Sequence, residues 1–323
     1  MRKLTSAVCA AFAAVLAMSA LPARAQQYPN QDVHIICAFP AGSGADVLVR
    51  YMAEKLRPLM GRAPIVENRV GAGGNIATEY VARAKPDGYT VYIHGGSGVI
   101  ASVAVLRHPS FDLAKSIRVV ATINRQSTMF VVHVNKPWTS VPEVTAAMKA
   151  KGEKATYATS NPIGKVMGAL YKKYAGLNAV EVSYRTAADS LNDLANGAVD
   201  YAMFDNVFSS AQAREGRLRI LALGTEQRID ANPGIPTLKE LGYPINLPSY
   251  FTVMVPMGTP EPIVRQLNAW TNQILATEES KKFLAESASD PWISTPEAAE
   301  AFFLQDIKNW QEYVRVANIE PQD

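Results

Sequence analysis

Residues 39–46 read Phe-Pro-Ala-Gly-Ser-Gly-Ala-Asp, and the pattern around them recurs along the chain. This stretch separates an apolar run at residues 33–38 from a helical pattern at residues 47–59. This order predicts a strand, a tight loop and the start of a helix. Within the loop, Ser43 and Asp46 have the spacing of a capping box, in which each side chain bonds the other residue's backbone amide.

The two glycines of this loop add a property that a helix cap alone does not need. Gly42 and Gly44 have no Cβ atom, so they permit a positive φ and let a ligand approach the backbone closely. A loop of this kind at a helix N-terminus presents free N–H groups and the positive end of the helix dipole. The loop is therefore a candidate site for a carboxylate or a phosphate.

The first residues have the pattern of a secretory signal peptide. Arg2 and Lys3 precede an apolar run at residues 4–21, and Ala23-Arg24-Ala25 follows it. This pattern predicts a signal peptide at residues 1–25, with cleavage after Ala25.

Removing that segment changes what the charge and the cysteines imply. It carries three of the 32 basic residues and no acidic residue, which leaves 29 residues of each sign. A neutral chain gives no support to a nucleic-acid partner. Cys9 leaves with the segment, and Cys37 lies in an apolar strand pattern, where a buried thiol is expected. The remaining chain of about 300 residues is longer than one core usually fills, which predicts two domains.

The pattern of strand, polar loop and helix repeats along the chain. In the first half, loops at residues 71–75 and 95–98 each follow a predicted strand. In the second half, predicted strands end at Thr159, Tyr184 and Phe204, each before a polar loop. This alternation predicts α/β domains, each a mostly parallel sheet flanked by helices, with the loops along one edge. If the two halves face each other, their loops converge on one cleft.

Three residues near these loops are interpreted individually. Asn75 is predicted to cap the second helix. Asp205 suits a helix cap at Asp205-Asn206, and it also suits contact with a ligand that carries an ammonium or hydroxyl group. Arg185 follows a strand end, where contact with an anion is preferred to a solvated surface position.

The sequence gives little support to an enzyme. The histidines are His34, His94, His108 and His133. None forms a metal-ligand pair at helical spacing, and there is no C-x-x-C motif. His94 is expected to be a packing or surface histidine. Neither Ser43 nor Ser97 lies in a G-x-S-x-G elbow, and Val47 stands where a dinucleotide fingerprint needs its third glycine. No catalytic residue, metal or cofactor is therefore expected.

Motifs spread over the chain resemble those of the tripartite tricarboxylate transporter substrate-binding family, the Bug-type receptors. They are Tyr28-Pro29, Phe39-Pro40-Ala41-Gly42 with Asp46, Val66-Glu67-Asn68-Arg69 with Gly71-Ala72-Gly73-Gly74-Asn75, Pro86-Asp87-Gly88-Tyr89-Thr90, Gly197-Ala198-Val199-Asp200, Gly216-Arg217-Leu218-Arg219, Ile235-Pro236-Thr237-Leu238-Lys239-Glu240-Leu241-Gly242 and Pro256-Met257-Gly258-Thr259-Pro260. They cover nearly the whole chain after residue 25.

The resemblance implies a two-domain periplasmic binding protein of the type II-like, Venus flytrap kind. The expected divisions are domain 1 at residues 26–123 plus 250–323, domain 2 at residues 124–249, and a two-strand hinge near residues 117–134 and 218–250. The implied function is a monomeric receptor in the periplasm. It would close on a small mono- or dicarboxylate, including aromatic or amino-substituted ones, and deliver it to membrane transporter subunits. A receptor that feeds a sensor kinase, or an enzyme on the same scaffold, is the alternative.

The resemblance also implies which residues bind the ligand. The first two glycine loops supply Phe39, Ala41, Gly42, Ser43, Gly73, Gly74 and Asn75. The candidates on the opposite side of the cleft are Ser97, Thr159, Ser160, Tyr184 and Asp205. Arg185 is added to them because it follows a predicted strand end. This chain departs from the family pattern at Ser43, at Ala45, at Tyr184-Arg185-Thr186 and across residues 160–168. The departures leave the identity of the carboxylate open.

Overall fold

The computed structural model describes residues 28–320, so the predicted signal peptide at residues 1–25 lies outside the described residues. All the elements below lie in the compact unit formed by residues 32–323. The strands are β1 (His34–Cys37), β2 (Ile65–Asn68), β3 (Thr90–Gly95), β4 (Ile117–Gln126), β5 (Met129–His133), β6 (Thr156–Thr159), β7 (Val180–Ser183), β8 (Tyr201–Phe204), β9 (Leu218–Leu223), β10 (Ser249–Pro256) and β11 (Asp290–Pro291). The α-helices are α1 (Gly44–Met60), α2 (Asn75–Ala82), α3 (Gly96–Ala104), α4 (Leu113–Ser116), α5 (Val141–Lys151), α6 (Pro162–Ala175), α7 (Leu191–Asn196), α8 (Asn206–Arg214), α9 (Glu261–Leu275), α10 (Glu278–Glu286) and α11 (Pro296–Val316).

The strands form two sheets, which we call domain 1 and domain 2 together with their helices. The larger sheet has the order β11-β4-β10-β3-β1-β2, and the smaller has the order β7-β6-β8-β5-β9. The prediction of a two-domain α/β fold is confirmed.

Both sheets are mixed, where mostly parallel pairing was expected. β1 pairs in parallel with β2 and β3, and β6 pairs in parallel with β7 and β8. These pairs join strands that are connected through helices, as parallel pairing requires. The remaining pairs, which involve β4, β5, β9, β10 and β11, are antiparallel.

The chain passes from one sheet to the other at two main points. β4 of domain 1 ends at Gln126 and β5 of domain 2 begins at Met129. β9 of domain 2 ends at Leu223, and β10 of domain 1 begins at Ser249. The residue boundaries of the domains and the hinge segments given above stay predictions.

One hydrophobic cluster runs through both domains. It includes Tyr92 and Trp310 from domain 1 and Phe130 and Tyr201 from domain 2, each fully buried. Cys37 is buried as predicted, and burial raises the pKa of its thiol to about 11.

Within residues 28–320, no helix combines the length and the apolar character of a membrane span. In the same range, no group of three or more His, Cys, Asp or Glu is placed to hold a metal ion.

Candidate functional site

The loop between β1 and α1, loop 1, forms half of the predicted capping box. Ser43 is the N-cap of α1, and its Oγ accepts a hydrogen bond from the Asp46 amide at 3.2 Å. The Asp46 carboxylate does not bond the Ser43 amide, which donates to the Pro40 carbonyl at 3.1 Å. It accepts instead from the Gly42 amide at 2.9 Å. The positive φ of Gly42, 80°, shapes the loop that places this amide near the carboxylate.

Asp46 is the residue that holds loop 1 together. Its buried carboxylate also accepts from Arg50 Nε at 2.8 Å and from Asn68 Nδ2 at 2.7 Å. Asn68 donates in addition to the Phe39 carbonyl at 2.9 Å, which ties the loop to the end of β2. Burial opposes ionisation of Asp46, but the bonds from Arg50, Asn68 and the Gly42 amide outweigh it and lower its pKa to about 2.

Among the loop 1 residues chosen from the sequence, Ala41 has an amide without a protein acceptor in the described chain, whereas Gly42 and Ser43 do not. Gly42 and Ser43 donate to protein acceptors, as described above. The amides of Gly44 and Ala45, in the first turn of α1, form no hydrogen bond with the protein within residues 28–320. First-turn amides lack an intrahelical acceptor and lie at the positive end of the helix dipole. They are the natural donors for an anion. The predicted residue Ala41 is exposed beside them.

The loop between β2 and α2, loop 2, has four consecutive residues with positive φ. They are Gly71, Ala72, Gly73 and Gly74. Gly74 is the N-cap of α2, so the prediction that Asn75 caps this helix is wrong. The cap position has a positive φ, which favours glycine over asparagine. Asn75 is therefore the first helical residue, with φ −61° and ψ −33°.

Asn75 connects loop 2 to α3. Its Oδ1 accepts from Ser102 Oγ at 3.1 Å, and its Nδ2 donates to the Ser102 carbonyl at 3.4 Å. The amides of Ala72 and Gly73 form no hydrogen bond with the protein within the described range, so loop 2 offers two further donors.

The His94 side chain is the point on which three loops converge. Its ring centroid lies 4.5 Å from that of Phe39 in loop 1. A Cβ atom built on Gly74 of loop 2 would lie 2.7 Å from His94 Nε2. A Cβ atom built on Gly98, in the first turn of α3, would lie 3.4 Å from His94 Cε1. His94 is a packing histidine, as expected, but it packs under the predicted site.

His94 is held neutral in this position. Burial lowers its pKa to about 4. The hydrogen bond between Nδ1 and the Gly95 carbonyl, at 3.1 Å, acts in the opposite direction but is the smaller effect. A neutral ring adds no cation to the site.

Ser97 lies on α3 on the domain 1 side, beside the glycine loops rather than across the cleft. It is 1% exposed, and its Oγ forms no hydrogen bond in the described part of the chain. A buried hydroxyl without a partner calls for a ligand or a water molecule. Phe39 supplies an apolar wall on this side, with its ring centroid 5.8 Å from that of Phe251.

On the domain 2 side, two predicted hydroxyls already donate to acids. Thr159 Oγ1 donates to Glu181 at 2.6 Å, and Tyr184 Oη donates to Asp193 at 2.6 Å. Burial, then the bond to Asp193, raises the pKa of Tyr184 to about 12. Because each hydroxyl donates its single hydrogen to an acid, it can only accept a hydrogen bond from a ligand.

The remaining domain 2 candidates have different surroundings. Ser160 is part-buried at the end of β6, beside the N-cap of α6. Arg185 is exposed and has no ion pair among residues 28–320. Asp205 is the N-cap of α8 and accepts the Phe208 amide at 2.9 Å, so the helix-cap interpretation is correct. Burial raises its pKa.

The other arginines near the glycine loops are occupied. Arg50 bonds Asp46 and Asn68, while Arg69 bonds Glu67 and lies over the Tyr80 ring, 3.6 Å from its centroid. An anion on the domain 1 side would thus be held by backbone amides and by the Ser97 hydroxyl.

Replacement of Gly74 by alanine tests the role of loop 2. We expect a loss of stability larger than that of Gly42→Ala, because both positions have positive φ but only a Cβ at position 74 meets His94. The difference between the two variants isolates the contact with His94, and chemical unfolding measures it. Equal losses would show that His94 does not require a glycine there.

Sequence reasoning did not identify Asn68 as a site-forming side chain, nor His94 as the residue under the three loops. The signal for Asn68 was present, since it ends a strand beside a glycine loop. His94 carried no signal, because its role depends on three segments distant in sequence.

The chain is similar to known proteins over most of its length. A family model described as tripartite tricarboxylate transporter family receptor matches residues 48–319. The protein BugT of Bordetella pertussis is 28% identical over 301 residues, which cover 92% of each chain. The solved structure of R. palustris Rpa4515 with adipate has a TM-score of 0.82 and 29% identity, and covers 91% of this chain and 100% of its own. The structure of the periplasmic binding protein BugD has a TM-score of 0.78 and 26% identity, with the same coverage.

Proposed function

Because the chain belongs to the tripartite tricarboxylate transporter receptor family, we propose that it is an extracytoplasmic receptor whose two domains close on a small organic carboxylate. It would act in the periplasm as a monomer, after removal of residues 1–25, and deliver the ligand to a membrane transporter of the tripartite tricarboxylate type. It would bind the ligand without converting it.

The observation that carries this proposal is the set of unused donors on domain 1. The amides of Gly44, Ala45, Ala72 and Gly73 have no acceptor in the described chain, and the Ser97 hydroxyl is buried without a partner. Hydrogen bonds to a charged group contribute about 1.5–3 kcal/mol each. A carboxylate can accept several such bonds at once, and no side-chain cation is needed to hold it.

The domain 2 side favours a different group at the far end of the ligand. Thr159 and Tyr184 offer lone pairs, because their protons go to Glu181 and Asp193. We therefore propose a carboxylate whose far end donates a hydrogen bond, through an ammonium or a hydroxyl group. The adipate in the R. palustris relative makes a six-carbon chain the first length to test.

A thermal-shift panel on the protein lacking residues 1–25 tests the proposal. The panel contains adipate, 6-aminohexanoate, 6-hydroxyhexanoate, hexanoate, the neutral diamide adipamide and glucose. At a hundredfold excess over Kd, a ligand that binds only the folded protein adds about 2.7 kcal/mol to its stability. We expect carboxylates with a donor at the far end to raise Tm more than hexanoate, and adipamide to have no effect.

Two outcomes would contradict the proposal. A rise in Tm with glucose and none with any carboxylate would show that the ligand is not a carboxylate. Chemical change of a bound compound during prolonged incubation would make the protein an enzyme.

A further inference from the structure

Gly44 and Val207 meet across the cleft. Gly44 is the first residue of α1 in domain 1, and Val207 is the second residue of α8 in domain 2. A Cβ atom at position 44 would lie 2.6 Å from Val207 Cγ1, closer than real Cβ atoms come to other atoms. The absence of a side chain at position 44 is what lets these two helix N-termini touch.

No local requirement explains a glycine at position 44. Gly44 does not have a positive φ, and alanine is the better helix former. Gly42 differs, because its φ of 80° favours glycine while a Cβ there would meet no atom within 4 Å. What excludes a side chain at position 44 is Val207, which belongs to the other domain.

Neighbouring contacts accompany that of Val207. The Asn206 side-chain amide donates to two carbonyls, and Arg214 donates to a third, all within residues 286–288. That segment follows α10, which packs on α1 through the stacked rings of Tyr51 and Phe283, 3.9 Å apart. The bonds from Asn206 and Arg214 and the contact of Val207 with Gly44 therefore form at the same meeting of α8 with domain 1.

We propose that Val207 is the positioning residue that stops closure of the cleft, and that Gly44 is the surface on which it stops. This inference rests on the proposed function, because closure around a ligand is the motion that the contact limits. The amides of Gly44 and Ala45 lie at the same helix end. The stop therefore also sets how much room a carboxylate has beside them.

A double-cysteine variant tests the contact without any ligand. In Gly44→Cys/Val207→Cys the two Cβ atoms would be 3.4 Å apart, next to the separation of about 3.5–4.5 Å found in disulfides. The native Cys37 is buried with a raised pKa, so it does not compete. Gly42→Cys/Val207→Cys is the matched control.

We expect the first pair to form an intramolecular disulfide faster than the control pair. We also expect oxidation to lower the radius of gyration of the ligand-free protein in small-angle X-ray scattering. If the first pair forms its disulfide no faster than the control pair, positions 44 and 207 do not meet in solution. A disulfide with an unchanged radius would show a permanent contact and overturn its role as a stop.

Binding of adipate and of 6-aminohexanoate supplies a second test, by calorimetry. Gly44→Ala is expected to weaken binding at least tenfold without lowering the Tm of the ligand-free protein, and Gly44→Ala/Val207→Ala is expected to restore most of the affinity. Equal weakening in both variants would contradict the inference. If the wild-type protein binds neither compound, the ligand assignment of the proposed function fails, while the scattering result still decides the stop.

Discussion

Replacing Asp46 with alanine is expected to destabilise the protein by about 2–4 kcal/mol, because several hydrogen bonds to one buried carboxylate are lost together. The carboxylate is 1% exposed and accepts from Gly42, Arg50 and Asn68. Its loss removes the acceptor shared by the Gly42 amide, Arg50 and Asn68, and leaves the bond from Asn68 to the Phe39 carbonyl to attach loop 1 to β2. Ligand affinity should fall with it, because the same carboxylate sets the path of the loop that leads to the Gly44 and Ala45 amides.

The matched control for this variant is Glu143→Ala. Asp46 and Glu143 occupy the same position, three residues after the serine N-cap of α1 and of α5. Glu143 is exposed and bonds only the neighbouring residues Thr139 and Ser140. Urea unfolding should therefore show a much smaller loss for Glu143→Ala. Similar losses in the two variants would reduce Asp46 to an ordinary helix cap.

Asp46 also predicts an acid limit to stability. Its pKa is lowered from 3.8 to about 2, so the folded protein holds the charged form more strongly than the unfolded chain. The resulting stabilisation is complete above about pH 4 and is lost as the pH falls toward 2, by about 2 kcal/mol. The Asp46→Ala variant should lose this part of the acid dependence.

Replacing Asp306 with asparagine is expected to stabilise the protein at pH 8, by about 2–4 kcal/mol. Asp306 is 1% exposed and faces the Tyr250 hydroxyl at 3.0 Å, with no cation bonded to it in the described chain. Burial raises its pKa to about 7. The folded protein therefore keeps a proton that the unfolded chain releases above pH 4, and stability falls as the pH rises to 7. Asparagine carries no charge and still offers an acceptor to Tyr250.

His94 titrates with the opposite sign. Its pKa is about 4 in the folded protein, below the ordinary 6.5, so the unfolded chain takes up a proton first. Stability therefore rises by about 3 kcal/mol between pH 4 and 6.5, while the Asp306 contribution falls in the same window. The two contributions therefore oppose each other in this pH range.

The pH profile of Asp306→Asn tests the assignment of Asp306. Urea unfolding at pH 4.5, 6.5 and 8 should show that the stability of the variant relative to the wild-type protein increases as the pH rises. Parallel profiles for the two proteins would show that Asp306 does not titrate in this range.

The parts of the fold that sequence reasoning predicted are those set by neighbouring residues. The caps at Ser43 and at Asp205 form as their position in the sequence indicates. Such caps depend on residues within one turn, so their pattern can be read directly.

The errors came from backbone conformation and from contacts between distant segments. Asn75 has the composition of a cap, but Gly74 takes that place because the loop arrives with a positive φ. Asp46 bonds the Gly42 amide because the loop bends back onto the helix. The amides of Gly42 and Ser43 are used within the protein, while those of Gly44 and Ala45 have no acceptor in the described chain.

The arrangement of the cleft required the folded chain. His94 gathers segments from positions 39, 74 and 98, and Val207 meets Gly44 from the other domain. Neither relation leaves a pattern in the local sequence. The antiparallel strands were missed for the same reason, since β10 joins β3 and β4 after the chain has passed through domain 2.

We propose that backbone amides of domain 1, and not a side-chain cation, hold the ligand carboxylate. A crystal structure of the protein with the compound that gives the largest thermal shift would show which groups bind it. We expect a carboxylate oxygen about 2.7–3.2 Å from the Gly44 or Ala45 nitrogen, with Val207 closed over Gly44. A carboxylate bound to Arg185, with both of these amides facing solvent, would contradict it.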